Sequence, residues 1–200
     1  MSQDSGRGGD ESATSREVLV ALGGNLPSPA GPPATTIRAA AEAVESALGP
    51  ARLGRLYVTP AFPPGSGPDY VNAAMALQSA RPATEILATL HDIDARFARE
   101  RTARWAGRTL DLDLLACGDA ILPDRAAHDG WRRLGSADQS RLAPAELILP
   151  HPRLQDRGFV LVPLAEVAPG WRHPVIGATV REMLAALPAE APVGIRPLAG

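Results

Sequence analysis

A run of alternating leucine and aspartate places the strongest constraint on the fold of this chain. Residues 110–114 read Leu-Asp-Leu-Asp-Leu, and a period of two is that of a β-strand, in which successive side chains point to opposite faces. The leucines predict a buried face. Asp111 and Asp113 predict a second face, on which the two carboxylates lie roughly 6.5–7 Å apart along the strand. The fold must therefore bury one side of this strand and use or solvate the other.

Arginines precede this strand and give its acidic face a possible partner. They are Arg99, Arg101, Arg104 and Arg108, with Trp105 among them. Paired carboxylates can hold Mg²⁺ through oxygen, and guanidinium groups bind phosphate oxygens in a bidentate manner. The segment thus indicates a Mg²⁺–nucleotide site. Spacing alone leaves a second interpretation open, namely the solvated face of an antiparallel sheet beside a charged surface.

Composition narrows the chemistry that this chain can perform. All 20 basic residues are arginine, which excludes a Walker A loop and a Schiff-base lysine. A net charge of −2 gives no overall basic field for nucleic acid. The single cysteine, Cys117, has no internal disulfide partner, and its place at the end of an apolar strand predicts a packing role. No apolar run approaches the ~20 residues that cross a bilayer, and no signal peptide is visible. We therefore expect a cytoplasmic protein with neither nucleic-acid nor membrane partners.

The remaining sequence predicts one α+β domain over residues 17–187. Apolar runs and helical periodicity predict elements in the order strand, helix, strand, strand, helix, strand, at 17–22, 35–48, 52–59, 69–77, 84–99 and 110–115. Helical segments follow at 159–167 and after the capping box of Thr179 and Glu182. This order predicts a ferredoxin-like α/β sandwich with a mainly antiparallel sheet and helices packed on it. We expect a disordered tail at 1–16, an extended loop with one short helix at about 123–146, and a loosely held end at 188–200.

Four separated motifs resemble one known family. They are Ala21-Leu-Gly-Gly-Asn25, Thr59-Pro60 with Pro68-Asp-Tyr-Val-Asn-Ala-Ala74, Arg104-Trp-Ala-Gly-Arg-Thr-Leu-Asp-Leu-Asp-Leu-Leu115, and Pro150-His-Pro-Arg-Leu-Gln-Asp-Arg-Gly-Phe-Val-Leu-Val-Pro-Leu164. Together they resemble the 6-hydroxymethyl-7,8-dihydropterin pyrophosphokinases of the folate pathway over roughly residues 17–187. The resemblance implies transfer of pyrophosphate from ATP to the hydroxymethyl group of the pterin, with release of AMP.

The resemblance also assigns roles to residues at matching positions. Asp111 and Asp113 would bind two Mg²⁺ ions that bridge the ATP phosphates, and Tyr70 and Phe159 would sandwich the pterin ring. The full pterin site would comprise Thr59, Pro60, Phe62, Tyr70, Asn72, Trp105 and Phe159. The ATP site would comprise Arg101, Trp105, Arg108, Leu114, Ile148, His151 and Arg157. The catalytic arginines would be Arg99, Arg101 and Arg108.

The chain departs from the family pattern at a few positions. Gly24 stands where the family usually has serine, Ala61 replaces a proline, and Ala106-Gly107 replaces Gly-Pro before Arg108; residues 123–146 form a longer segment than is usual. None of these changes removes a metal or phosphate ligand, so we expect an active enzyme. We also expect it to be monomeric.

Two other hypotheses remain open at this point. One is a non-catalytic member that binds nucleotide or pterin, against which the two aspartates, Arg108 and His151 argue. The other is a nucleic-acid-binding domain that uses the arginine cluster, against which the net charge argues.

Overall fold

A computed structural model describes residues 14–61, 65, 67–97, 108–135, 138 and 141–199 of the chain. Six strands occur in it: β1 (Arg16–Gly24), β2 (Ala51–Leu53), β3 (Tyr57–Thr59), β4 (Tyr70–Ser79), β5 (Asp111–Cys117) and β6 (Arg196–Pro197). The helices are α1 (Pro33–Leu48), α2 (Ala83–Phe97), α3 (Arg125–Arg133), α4 (Gly158–Val167) and α5 (Val180–Ala186), with a 3-10 turn at Leu154–Asp156. The predicted strand at 52–59 is divided into β2 and β3.

The strands form one sheet in which every pairing is antiparallel. Its order is β5-β1-β4-β3-β6, and β2 also pairs with β4. Helix α1 connects β1 to β2 across the intervening β4, and α2 connects β4 to β5 across the intervening β1. Two such split β-α-β units define the ferredoxin-like arrangement, which confirms the predicted fold class.

The alternation of side chains along the central strands builds one core on each face of the sheet. Leu110, Leu112 and Leu114 lie in the core beneath α1 and α2, as the sequence predicted. Asp111 and Asp113 therefore face the opposite layer, which contains α4 and α5. A β-bulge follows, since Val20 pairs with Leu114 whereas Leu19 pairs with Ala116. Leu115 belongs to the second core by the same alternation, and because of the bulge Ala116 belongs to it as well.

The C-terminal segment adds an edge to the sheet. It was predicted to be loosely held, but β6 pairs with β3, and the Leu198 amide donates to the Leu56 carbonyl at 2.7 Å. Two paired residues, one of them a proline, carry too little pattern to predict a strand from sequence. Within the described part of the chain, we find no helix with the length and apolar character that a membrane span requires.

Candidate active site

The candidate site lies on the face of the sheet opposite Leu110, Leu112 and Leu114, where β1 ends and β4 and β5 begin. Gly23 of β1 pairs with Asp111 on one side and Asn72 on the other, so the three residues lie in one row across the sheet. A Cβ atom at position 23 would come within 2.7 Å of the Asn72 Oδ1 atom. The Asn72 side chain therefore lies over the backbone of β1, and any larger residue at position 23 would displace it.

The two carboxylates of β5 each lie beside a guanidinium group. Arg108 forms an ion pair with Asp111, and an Arg157 nitrogen lies 3.8 Å from the Asp113 Oδ2 atom. Burial and the nearby Asp113 charge raise the pKa of Asp111, an effect that Arg108 opposes. The two carboxylates thus repel each other although each has an arginine beside it, and a bound cation would relieve that repulsion.

A cavity of about 460 Å³ opens beside Asp113. Five residues predicted for the metal and ATP sites meet on its wall, namely Asp113, Leu114, Ile148, His151 and Arg157. They come from β5 and from the segment that leads into α4, so the fold joins two separated sequence motifs at one cavity. The volume is within the range of small-molecule sites.

His151 is held in a defined tautomer at this cavity. Its amide donates to the Leu115 carbonyl at 2.8 Å, and its Nδ1 atom accepts from the Arg153 amide at 3.1 Å. Burial, together with the charges of Arg157 and Arg153, lowers the pKa of His151 to about 3. The imidazole is therefore neutral at pH 7, and its proton resides on Nε2, which remains as a hydrogen-bond donor.

Residues predicted for the pterin site lie on β3, β4 and the start of α4. The Asn72 Nδ2 atom donates to the Thr59 Oγ1 atom at 2.9 Å, and Thr59 pairs with Tyr70 across the strands. Pro60 follows Thr59 directly. Phe159 keeps 39% of its surface exposed, and the Arg157 guanidinium lies 5.7 Å from the centre of its ring. An exposed phenylalanine beside the phosphate-side arginine is suitably placed to contact a flat ligand.

Four predicted site residues lie outside the described part of the chain: Phe62, Arg99, Arg101 and Trp105. Their roles stay predictions from the resemblance alone.

Sequence reasoning missed one residue that organises the site, Asn25. Its Oδ1 atom accepts from the Arg108 amide at 2.9 Å and its Nδ2 atom donates to the Pro68 carbonyl at 3.1 Å. The amides of Asn25 and Leu26 also donate to the Arg108 carbonyl. Asn25 thus connects the end of β1 to the residues just before β5 and just before β4. Its signal in the sequence is the Gly-Gly-Asn motif, which the resemblance includes without assigning a role to the asparagine.

The fold and the site together define a class of protein. A ferredoxin-like sheet presents two carboxylates, and arginine and neutral histidine side chains border a cavity beside them. That combination is suited to an enzyme that handles phosphorylated substrates by positioning and charge neutralisation.

Comparisons with known proteins specify the family. The family model described as 7,8-dihydro-6-hydroxymethylpterin-pyrophosphokinase matches residues 19–169. A Synechocystis sp. protein named 2-amino-4-hydroxy-6-hydroxymethyldihydropteridine pyrophosphokinase is 36% identical over 169 residues, which cover 84% of this chain and 74% of that protein. A Pseudomonas aeruginosa protein of the same name is 36% identical over 188 residues, which cover 92% and 98%. The chain belongs to this pyrophosphokinase family, whose members transfer pyrophosphate to 6-hydroxymethyl-7,8-dihydropterin in folate biosynthesis.

Solved structures support the fold. The wild-type Plasmodium falciparum HPPK-DHPS structure matches with a TM-score of 0.58 at 13% identity and covers 88% of this chain. Only 45% of that longer chain is matched, so this chain spans less than half of it. At this identity the match is evidence for the architecture alone.

Proposed function

We propose that this chain transfers pyrophosphate from ATP to the hydroxymethyl group of 6-hydroxymethyl-7,8-dihydropterin and releases AMP, with Mg²⁺ held by Asp111 and Asp113. The observation that carries the proposal is the meeting of these two carboxylates with Arg108, Arg157 and His151 at one end of the sheet. Membership of the pyrophosphokinase family supports the reaction type.

The acidic pair fits magnesium bound together with a nucleotide. Both carboxylates are partly exposed, at 33% and 37% of their side-chain surface, so their oxygens are accessible. Among the described residues, no group of three or more His, Cys, Asp or Glu side chains is placed to hold a metal ion. Mg²⁺ commonly takes one or two carboxylates and completes its octahedron with water and substrate phosphates. Two ions bound in this way would neutralise phosphate charge and favour the deprotonated form of a bound hydroxyl group.

The basic residues then act on the phosphate chain. Arg157 and the Nε2–H group of His151 donate to phosphate oxygens at the cavity, and Arg108 acts at the edge next to Asp111. Because His151 is neutral, it contributes a hydrogen bond without adding a third positive charge beside Arg157 and Arg153. These contacts align the nucleotide and stabilise the charge that moves during transfer.

The pterin occupies the neighbouring end of β3 and β4. Asn72 and Thr59 hydrogen-bond each other at 2.9 Å, and in the complex Asn72 presents its amide to the polar edge of the ring. Tyr70 and Phe159 cover the two faces, and Pro60 borders the ring. The monomeric state stays a prediction. The cytoplasmic location stays a prediction.

Product analysis tests this proposal. The protein is incubated with ATP, Mg²⁺ and 6-hydroxymethyl-7,8-dihydropterin, and the nucleotides are separated. We expect AMP whose formation requires the pterin, and a loss of at least 100-fold in Asp111→Asn and Asp113→Asn. Asp119→Asn is the matched control, because Asp119 is an exposed acid just beyond the other end of the same strand.

Three outcomes would contradict the proposal. Formation of ADP instead of AMP would indicate ordinary phosphoryl transfer. Binding of ATP without turnover would favour a non-catalytic member of the family. Equal losses of AMP formation in Asp119→Asn and in the two site variants would contradict the assignment of Asp111 and Asp113 as the metal ligands.

A further inference from the structure

Part of the cavity wall is formed by residues to which nothing above assigns a role. Besides Asp113, His151 and Arg157, the wall contains residues of α2 and of the segment at 123–146. The apolar members of this second group include Leu87, Trp131, Leu142 and Pro144, and its polar members are His91 and Glu146. Trp131 of α3 contributes an aromatic ring.

The segment that carries Trp131 leaves and rejoins the fold at one place. Leu122 and Leu149 form an antiparallel bridge, with N–H···O distances of 2.9 Å and 3.2 Å. The chain therefore leaves the sheet region after Leu122 and returns to the same place at Leu149, next to the cavity. The Asp124 side chain caps α3 within it by accepting from the Ala127 amide at 2.9 Å.

Helix α3 is fixed against the wall of the cavity by a buried histidine. The fully buried His128 places Nε2 2.9 Å from the carbonyl oxygen of Pro150, the residue before His151. Since that carbonyl only accepts, the His128 Nε2 atom carries the proton and donates. The contact joins α3 directly to the segment that supplies His151.

This anchor determines which face of α3 meets the cavity. Residues three apart lie on the same face of a helix, so Trp131 lies on the face that His128 fixes. Arg133, two residues further along the helix, has a side chain that is 73% exposed. The helix therefore presents Trp131 to the cavity and Arg133 to solvent.

We propose that Trp131 forms an aromatic wall for the purine base of the nucleotide bound in this cavity. The inference rests on the proposed function, because it assumes a triphosphate at Asp113, His151 and Arg157. A nucleotide anchored there places its base against the rest of the cavity wall, to which Trp131, Leu87 and Leu142 contribute apolar surface. Segment 123–146 thereby contributes to nucleotide affinity, and Trp131 is its main contact.

Calorimetric titration of the full chain in Mg²⁺ tests the inference with two probes, ATP and inorganic tripolyphosphate. Tripolyphosphate has the phosphate chain but lacks a base. Removal of an aromatic contact to a base by alanine substitution typically costs enough to weaken binding about tenfold. We expect Trp131→Ala to weaken ATP binding about tenfold and to leave tripolyphosphate binding unchanged. Trp131→Phe, which keeps a ring, is expected to retain most of the ATP affinity.

Two controls make the result specific. Arg133→Ala lies on the outer side of the same helix and is expected to bind both probes as the unchanged chain does. Circular dichroism of each variant checks that α3 and the fold persist. If the alanine variant unfolds, Trp131→Leu, which removes the ring but keeps an apolar side chain, replaces it, and the outcomes stated for the alanine variant apply to it.

The inference is overturned if Trp131→Ala and Trp131→Phe both bind ATP with unchanged affinity, or if Trp131→Ala weakens tripolyphosphate as much as ATP. Failure of the proposed function has a different signature. In that case the unchanged chain would bind neither probe, or would bind ATP and form no AMP.

Discussion

Asn25 offers the sharpest test of how the site is held together. Asn25→Ala removes two long-range hydrogen bonds of a buried side chain, one from the Arg108 amide and one to the Pro68 carbonyl. The two partner groups belong to exposed residues and can be hydrated once the Asn25 side chain is removed, so each lost hydrogen bond costs about 0.5–1.5 kcal/mol and the two together about 2 kcal/mol. In a domain of this size, each kcal/mol lowers Tm by about 2–4 °C. We therefore expect a fall of about 6 °C by differential scanning calorimetry.

The same variant tests whether Asn25 is a positioning residue for Arg108. Loss of the Oδ1 contact releases the amide of Arg108, so we expect kcat to fall at least tenfold while KM for the pterin changes little. Asn25→Asp keeps the oxygen that accepts from Arg108 but loses the donor to Pro68. It is therefore expected to recover kcat more than Tm. A Tm within about 2 °C of the unchanged chain, together with an unchanged kcat in Asn25→Ala, would refute this reasoning.

Three further measurements test packing and protonation. Burial, with His128 close by, lowers the pKa of His173 to about 4; the unfolded chain therefore binds more protons between pH 6.5 and 4. The free energy of unfolding is expected to fall by about 3 kcal/mol as the pH drops through that window. In urea titrations at several pH values, His173→Gln is expected to make the free energy of unfolding depend less steeply on pH. Gly158→Ala places a Cβ atom 2.5 Å from the Ala191 carbonyl oxygen, so it is expected to lower stability by about 1–3 kcal/mol and to raise KM for the pterin; an unchanged Tm would contradict the observed packing. Gly130→Ala in α3 meets open space and is expected to raise stability by about 0.5–1 kcal/mol, and a loss would count against the placement of that helix.

Periodic patterns made the sheet and its two faces predictable. Alternation at 110–114 indicated which side of β5 is buried, and the spacing of strands and helices indicated the ferredoxin-like order. Both signals are local, because they depend only on side-chain direction within one element. The same is true of the capping box, in which the Thr179 Oγ1 atom accepts from the Glu182 amide at 3.2 Å.

The parts of the site that sequence did not predict depend on contacts between distant residues. Asn25 bonds to Arg108 across 83 positions, and no local pattern marks either end of that contact. His128 had no visible partner in the sequence, and the structure places it against Pro150, 22 residues away. A polar residue in an irregular segment becomes interpretable only when the fold shows which backbone group it meets.

Segment 123–146 shows why the difference between local patterns and long-range contacts matters for function. Its polar composition predicted a loop with one short helix, and the structure contains α3 there. The bridge between Leu122 and Leu149 closes the segment beside the cavity, and His128 then fixes the orientation of the helix. Two backbone contacts and one buried histidine thereby place Trp131 of this segment in the wall of the cavity. Under the proposed function, specificity for the base would reside in a segment that has no recognisable motif, whereas the residues for phosphate chemistry would lie in the segments whose sequence patterns are easiest to identify.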